Sequence, residues 1–223
     1  MRQERAVHTR HRLVRAAAGE FARNGGAGTS LGRVCAAAEA TMGALTFHFP
    51  TKQQLTDAVR KQGLDTTRAA ARAAVRPGPR LQSVIDITHT AALLLQDNVV
   101  VRAANRLCQE GPDGRQEWYA AWLGIVRTLA EQAAKGGELN ARTQPRQVVL
   151  LAACFVAGIE TSAAAVAIGR GSTESSRRQL VQLWQTAIPS VAAAELCQAL
   201  SPDSSVHGAG GGRCAADGHT PVT

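Results

Sequence analysis

Residues 29–55, TSLGRVCAAAEATMGALTFHFPTKQQL, decide the fold of this 223-residue chain. Ser30 is an N-cap residue by type, and Leu31, Val34 and Cys35 behind it recur at the three-to-four spacing of a helix with one buried stripe. The spacing predicts a helix running to about Ala38. Thr41 caps a second short helix in which Leu45 faces inward, leaving Thr41, Met42, Ala44 and Thr46 to face a partner. Phe47 and Phe49 flank His48 and plug a small core. Pro50 ends the second helix, and Thr51 caps a long one that begins at Lys52. Two short helices across a tight turn, an aromatic clamp and a new helix start are the layout of a helix-turn-helix reader of DNA. Its second helix is the one offered to the major groove.

Working outward, the chain reads as helix almost everywhere, with no convincing strand. Leu13, Ala17 and Phe21 lie on one stripe of a helix from about Thr9 to Asn24, which Gly25-Gly26 stops. With the two short helices it makes a three-helix DNA-binding domain over residues 1–50. Downstream, the long helix from Lys52 reaches about Ala74, and Pro77-Gly78-Pro79 breaks it. Another runs through Leu81, Ile85, Thr88 and Ala92 to Leu95. Gly111-Pro112-Asp113-Gly114 is the next clear turn, and a helix follows from about Arg115 to Lys135, before Gly136-Gly137. The last two helices are expected at Pro145–Ile168 and Glu174–Leu200. The first is apolar on nearly all sides between Val148 and Ile159, so it must be covered on every face. Leu180, Leu183, Trp184, Ala187 and Val191 give the second a broad apolar stripe. Two such helices from each of two subunits make a four-helix interface, and a purely internal core is the alternative. The fold class is therefore all-α, with a helical ligand-binding and dimerisation domain over residues 51–200. From Ser201 to Thr223, Gly, Ser, Ala and Pro dominate without periodicity, which reads as a disordered tail.

Composition agrees: 45% hydrophobic content with only 4% aromatic suits helices packed with Ala, Leu and Val. The N-terminus is charged from Arg2 onward and has no apolar stretch before a cleavage site, so a cytoplasmic protein is expected. Residues 148–169 are long enough for a bilayer of roughly 30 Å. Glu160 and many small residues make them a buried helix instead, and no membrane partner is expected. Five cysteines without a CxxC pair read as reduced, mostly buried thiols, and six scattered histidines leave no metal site. No Walker loop, GxSxG or paired-carboxylate arrangement is present, so no catalytic residue and no cofactor are assigned. Charge is uneven: residues 1–62 hold ten Lys or Arg against four Asp or Glu, a balance of +6 out of +8 for the chain. Arg2, Arg5, Arg10, Arg12 and Arg15 therefore either reach phosphates or form a solvated basic face.

The motif Phe47-His48-Phe49-Pro50-Thr51-Lys52 followed by Leu55, together with Thr41-Met42-Gly43-Ala44-Leu45, resembles the signature of the TetR-type transcriptional repressors. RQERAVHTR near the N-terminus, VVVRAANRL at 99–107, Tyr119 with Trp122, and LVQLWQTAIPSVA near the end resemble one branch. That branch is the γ-butyrolactone autoregulator receptors and pseudo-receptors of antibiotic-producing actinomycetes. The likeness covers about residues 2–196. It implies a homodimeric repressor that leaves a near-palindromic DNA operator when a small molecule binds, controlling secondary metabolism from the nucleoid. The residues carried over for DNA contact are Arg10, Ser30, Thr41, Met42, Gly43, Ala44, Thr46, Phe47, His48, Thr51 and Lys52. Met42 and Thr46 depart from the lysine and tyrosine that the family often places there to touch the DNA backbone. Gly43 sits inside a short helix, where glycine costs about 1 kcal/mol relative to alanine. Close approach to DNA and tight packing against the preceding helix both explain it.

A second site is expected in the C-terminal domain. Trp118 and Trp122 share one helical face with Ile125 and Leu129, a pattern that by itself is ordinary core packing. The resemblance adds that Trp122 matches a tryptophan lining the butyrolactone-receptor cavity. Thr161 is then a donor to a lactone or carboxylate oxygen of a butyrolactone-like or antibiotic-like inducer, with Trp118 and Gln62 as further lining residues. The helix from Lys52 to Ala74 joins both domains and is the expected lever. Two other classes stay open: a helical ligand-binding or catalytic protein without operator specificity, and a basic protein that coats nucleic acid.

Overall fold

A computed structural model of the chain describes residues 2–111, 116–167 and 176–204. The Pro112–Gly114 part of the expected turn, the helix starts at Arg115 and Glu174, Ile168, and the tail from residue 205 lie outside the described residues. Within them the protein is all-α, as the periodicity requires. Among the described residues nine helices follow one another: α1 (Arg2–Gly28), α2 (Leu31–Ala37), α3 (Met42–His48), α4 (Lys52–Ala73), α5 (Arg80–Asp97), α6 (Val99–Glu110), α7 (Gln116–Lys135), α8 (Pro145–Ala167) and α9 (Ser176–Val191).

The helix starts are set by side-chain caps. Ser30 Oγ accepts the Arg33 N–H, Thr41 Oγ1 the Ala44 N–H, and Thr51 Oγ1 the Gln54 N–H, each satisfying a donor that the first turn leaves free. α1 begins earlier than Thr9, at Arg2, and its expected break falls where predicted: Gly25 takes φ 71°, ψ 179°. The tight turn between α2 and α3 is made by Glu39 at φ 48°, with its N–H on the Ala36 carbonyl and the Ala40 N–H on the Cys35 carbonyl. Asn98 is the break that sequence reading passed over. Its Oδ1 accepts the N–H groups of Val100 and Val101, and α5 and α6 meet there at 95°.

Two expectations near the C-terminus need correction. The last helix ends at Val191 rather than Leu200, because the loop after α7 captures its final carbonyls. Asn140 N–H bonds Val191 O at 3.0 Å, and Thr143 Oγ1 bonds Ser190 O at 3.2 Å. The tail is also anchored further than Ser201: Gln82 pairs with the Ser201 backbone, the Pro202 carbonyl lies 3.0 Å from His89 Nε2, and Asp203 accepts two bonds from Arg177. Cys35 and Cys108 are buried as expected, whereas Cys154 is exposed. Burial and the neighbouring Glu117 carboxylate push the Cys108 thiol up to about 12, so it stays protonated.

Burial divides into two principal cores. One joins Leu13, Ala17 and Phe21 of α1 with Val34, Leu45, Phe49, Leu55 and Val59, and it also takes in Ala103 and Leu107 of α6. The larger one gathers α5, α7, α8 and α9 around Trp118, Trp122 and Trp184, and it takes in Val101 and Cys108 from the other side of α6. Helix α6 therefore belongs to both. No single helix among the described residues is long and apolar enough to cross a membrane.

Candidate functional site

The N-terminal site is built by α3 and what surrounds it. Leu45 is fully buried and fixes the helix's roll. At about 100° per residue, Gly43 and Phe47 stand roughly 200° from Leu45, at the outer pole. Phe49 is buried in the small core as expected, but Phe47, expected to plug the same core, is 78% exposed, because its place on the helix is opposite Leu45; Met42 is 46% exposed. A Cβ placed on Gly43 would meet only Thr41 Oγ1, at 3.9 Å, so packing against the preceding helix does not account for this glycine. The Thr46 hydroxyl donates back to the carbonyls of Met42 and Gly43 at 3.0 and 3.2 Å. The His48 ring stands edge-on to Phe47 at 5.1 Å. Ser30, Thr41 and Thr51 cap the N-termini of α2, α3 and α4, and Lys52 opens α4. The Arg10 guanidinium lies 5.0 Å over the Phe49 ring, which holds it beside α3. Arg12 is engaged inside the domain: it donates to the Ala38 carbonyl and, at 3.3 Å, to that of Glu39, bracing the turn.

The four residues expected to line one ligand cavity are not brought together. Trp118 and Trp122 are fully buried neighbours, 6.0 Å apart in the large core. Trp118 Nε1 donates to Thr67 Oγ1 of α4 at 3.2 Å, while Trp122 Nε1 is buried without an acceptor among the described residues. Thr161 is exposed, and its hydroxyl is turned back to the Ala157 carbonyl at 2.9 Å. Gln62 is exposed too, in a separate crevice with His11 and Arg15. Spacing along one helix ranks residues by face; it says nothing about which faces of α4, α7 and α8 converge.

A cavity of about 860 Å³ instead opens between α5, α6 and α8. Ala92, Leu95 and Ile159 give it apolar walls. Its polar side is a cluster in which Asn105 Nδ2 and Gln109 Nε2 both donate to Glu160 Oε1, at 2.8 and 3.0 Å. Asn105 and Gln109 are four residues apart on α6, so this polar pair was readable as a stripe, and Glu160 as the one charge in the apolar run of α8 after Val148. Their meeting was not.

The same stretch of α6 grips α1. Arg106 Nη1 donates to the carbonyls of Ala22 and Arg23 at 3.1 and 3.0 Å, and Glu110 accepts the Gly26 N–H at 2.7 Å. On its other flank α6 meets α4 at Gly63, where an added Cβ would fall 2.3 Å from Ala104 Cβ and 2.8 Å from the Val100 carbonyl oxygen. Thr67, one turn further along α4, links this crossing to Trp118. None of Gly63, Thr67, Arg106 or Glu110 carries a local signal, since each is an ordinary helix residue until its neighbour is known.

Residues 13–59 match the family model for bacterial regulatory proteins of the tetR family. The A-factor receptor protein of Streptomyces griseus is 27% identical over 207 residues, covering 92% of this chain and 71% of that protein. A crystal structure of a gamma-butyrolactone receptor (ArpA-like protein) superimposes with a TM-score of 0.71 at 24% identity, over 87% of this chain and 93% of that one. CprB from Streptomyces coelicolor, a TetR family protein solved in complex with its biological operator sequence, gives a TM-score of 0.68 at 25% identity, over 87% and 94%.

Proposed function

The chain belongs to the tetR family of bacterial regulatory proteins, and from that premise we propose a homodimeric repressor whose hold on a near-palindromic operator is released by a small amphipathic molecule. Two copies of α3 enter successive major grooves roughly 34–36 Å apart, with Gly43 and Phe47 foremost. Arg10, Ser30, Thr41, Thr51 and Lys52 reach the phosphates around them. Helices α8 and α9 supply the subunit contact. Their outer side carries Leu150, 63% exposed in the single chain, and Leu183, 37% exposed, and burying such surface is worth about 25 cal/mol per Å². The reading assigns no catalytic step to the chain and puts its action in the cytoplasm.

One observation carries ligand control: α6 is at once a wall of the cavity and the clamp on α1. A guest that displaces Asn105 or Gln109 moves the helix whose next residues, Arg106 and Glu110, hold the α1 carbonyls and the Gly26 N–H. The shift passes to α4 through the close crossing at Gly63. Coupling of about 1–3 kcal/mol between cavity and operator is the usual scale for such a device. The buried Trp122 indole N–H has no acceptor among the described residues, so a ligand oxygen reaching that depth would supply one. The relatives named as A-factor and gamma-butyrolactone receptors make a butyrolactone-like signal, or another late metabolite of an antibiotic producer, the guest class of choice.

The test is a footprint over the DNA upstream of this chain's own coding sequence, repeated with extract from a culture of the source bacterium. Protection of a palindrome that disappears with extract is the expected result, and Gln109→Ala, on the cavity wall, is expected to keep the protection and lose the response to extract. Equal affinity for matched and scrambled duplexes would instead make this a protein that coats nucleic acid, since a specific binder prefers its site by about 10³ or more.

A further inference from the structure

The outer face of α3 is chemically one-sided. Its sequence, MGALTFH, contains no Arg, Lys, Asn, Gln, Asp or Glu, the side chains that identify guanine, adenine or cytosine by hydrogen bonds in the major groove. Thr46 and the capping Thr41 each hold a hydrogen bond within the helix, and the half-buried His48 ring packs against Phe47. The large side chains left outward are apolar: a phenyl ring 78% exposed and the Met42 thioether 46% exposed. Between them stands Gly43, with open space where its side chain would be. In the docking proposed above the phenyl faces the base edges, and the apolar feature that a major groove offers there is the C5 methyl of thymine.

We propose that Phe47 is the specificity-determining residue of this protein, reading thymine methyl groups by apolar contact in the space that Gly43 leaves open. The proposal rests on the operator-binding reading above and deepens it: the operator is recognised by where its methyl groups lie rather than by paired hydrogen bonds. A thymine replaced by uracil keeps every hydrogen-bonding group and loses only that methyl.

The experiment is an in vitro selection of duplexes from a randomised pool by the full chain. The enriched duplex is then resynthesised with uracil at each half-site thymine in turn, and affinity is read by fluorescence anisotropy. Burying one methyl is worth about fourfold in affinity, so one symmetric pair of replacements in the half-sites is expected to weaken binding about fifteenfold, while pairs elsewhere in the site change nothing. Phe47→Ala is expected to bind the thymine and uracil duplexes alike. Its fold is checked by circular dichroism, and the thymine-to-uracil comparison on the unaltered protein stands without it. Binding of every uracil duplex within a factor of two of its parent overturns the proposal while leaving operator binding intact, as does a folded Phe47→Ala protein that still discriminates. A selection that enriches no palindrome overturns the operator-binding reading, and the proposal with it.

Discussion

Replacing Gly43 with alanine should make this protein more stable and worse at binding DNA. In the free chain the new Cβ meets nothing closer than Thr41 Oγ1, an ordinary contact distance of 3.9 Å, so no steric term opposes the change. Alanine exceeds glycine in a helix interior by about 1 kcal/mol, which is an upper figure for the second residue of α3. For a chain of this size that corresponds to a rise of roughly 2–4 °C in Tm. On the operator the same methyl stands at the outer pole beside Phe47, where overpacking costs about 1–3 kcal/mol per contact. Two half-sites give at least about 2 kcal/mol, or roughly thirtyfold weaker binding. Thermal melting followed by circular dichroism and anisotropy on a selected duplex read the two effects separately. A Gly43→Ala protein that melts lower would show that the glycine serves internal packing. One that melts higher and binds undiminished would refute the groove approach.

Other expectations follow from individual contacts. Glu39 holds the turn between α2 and α3 at φ 48°, a region costing L-residues about 1–2 kcal/mol. Glu39→Gly should therefore stabilise the chain to urea by about 0.5–1 kcal/mol after the greater freedom of the unfolded glycine is subtracted; lower stability would contradict the strain. Gly63→Ala forces α4 away from α6 at a 2.3 Å clash and should lower Tm by several degrees, with about 1–3 kcal/mol of overpacking, and alter operator affinity although no DNA contact changes. An unaltered melting curve would mean the crossing is slack. Burial lowers the His89 pKa below its ordinary 6.5, against the opposing pull of the Pro202 carbonyl, Asp203 and Asp86. Above that value the ring is neutral in folded and unfolded chains alike. As pH falls through it, the unfolded chain takes a proton that the folded one still resists, so stability declines. Urea midpoints at pH 7.5 and 5.5 should show this decline in the native protein and a smaller one in His89→Gln; identical declines would exclude His89 as its source.

The helix-turn-helix unit was legible because its determinants are local. Ser30, Thr41 and Thr51 cap helices whose donors lie three residues away, and Gly25 breaks α1 at its own φ, so each signal and its effect share one short stretch of chain. The same holds for Leu45 and Phe49, whose spacing points them into the small core. Reading failed where determinants act across the fold. Nothing near Val191 ends α9 visibly except Pro189, because the carbonyls are captured by Asn140 and Thr143 on a loop fifty residues earlier. Residues 201–204 look like tail and are held by Gln82, His89 and Arg177. Thr161 and Gln62 carry suitable chemistry, yet α8 turns one outward and α4 places the other in a different crevice.

By itself, then, the order of residues determined that the chain is helical, where the groove-reading helix begins and which of its faces is apolar, since 3.6-residue periodicity and capping need only neighbours in sequence. Tertiary structure alone decided that Asn105, Gln109 and Glu160 meet on a cavity wall, that Arg106 and Glu110 clamp α1, and that Gly63 sets the approach of α4 to α6. Those contacts depend on how whole helices cross. Crossing is settled by the summed burial of two cores that share α6, a quantity no single stretch of chain contains.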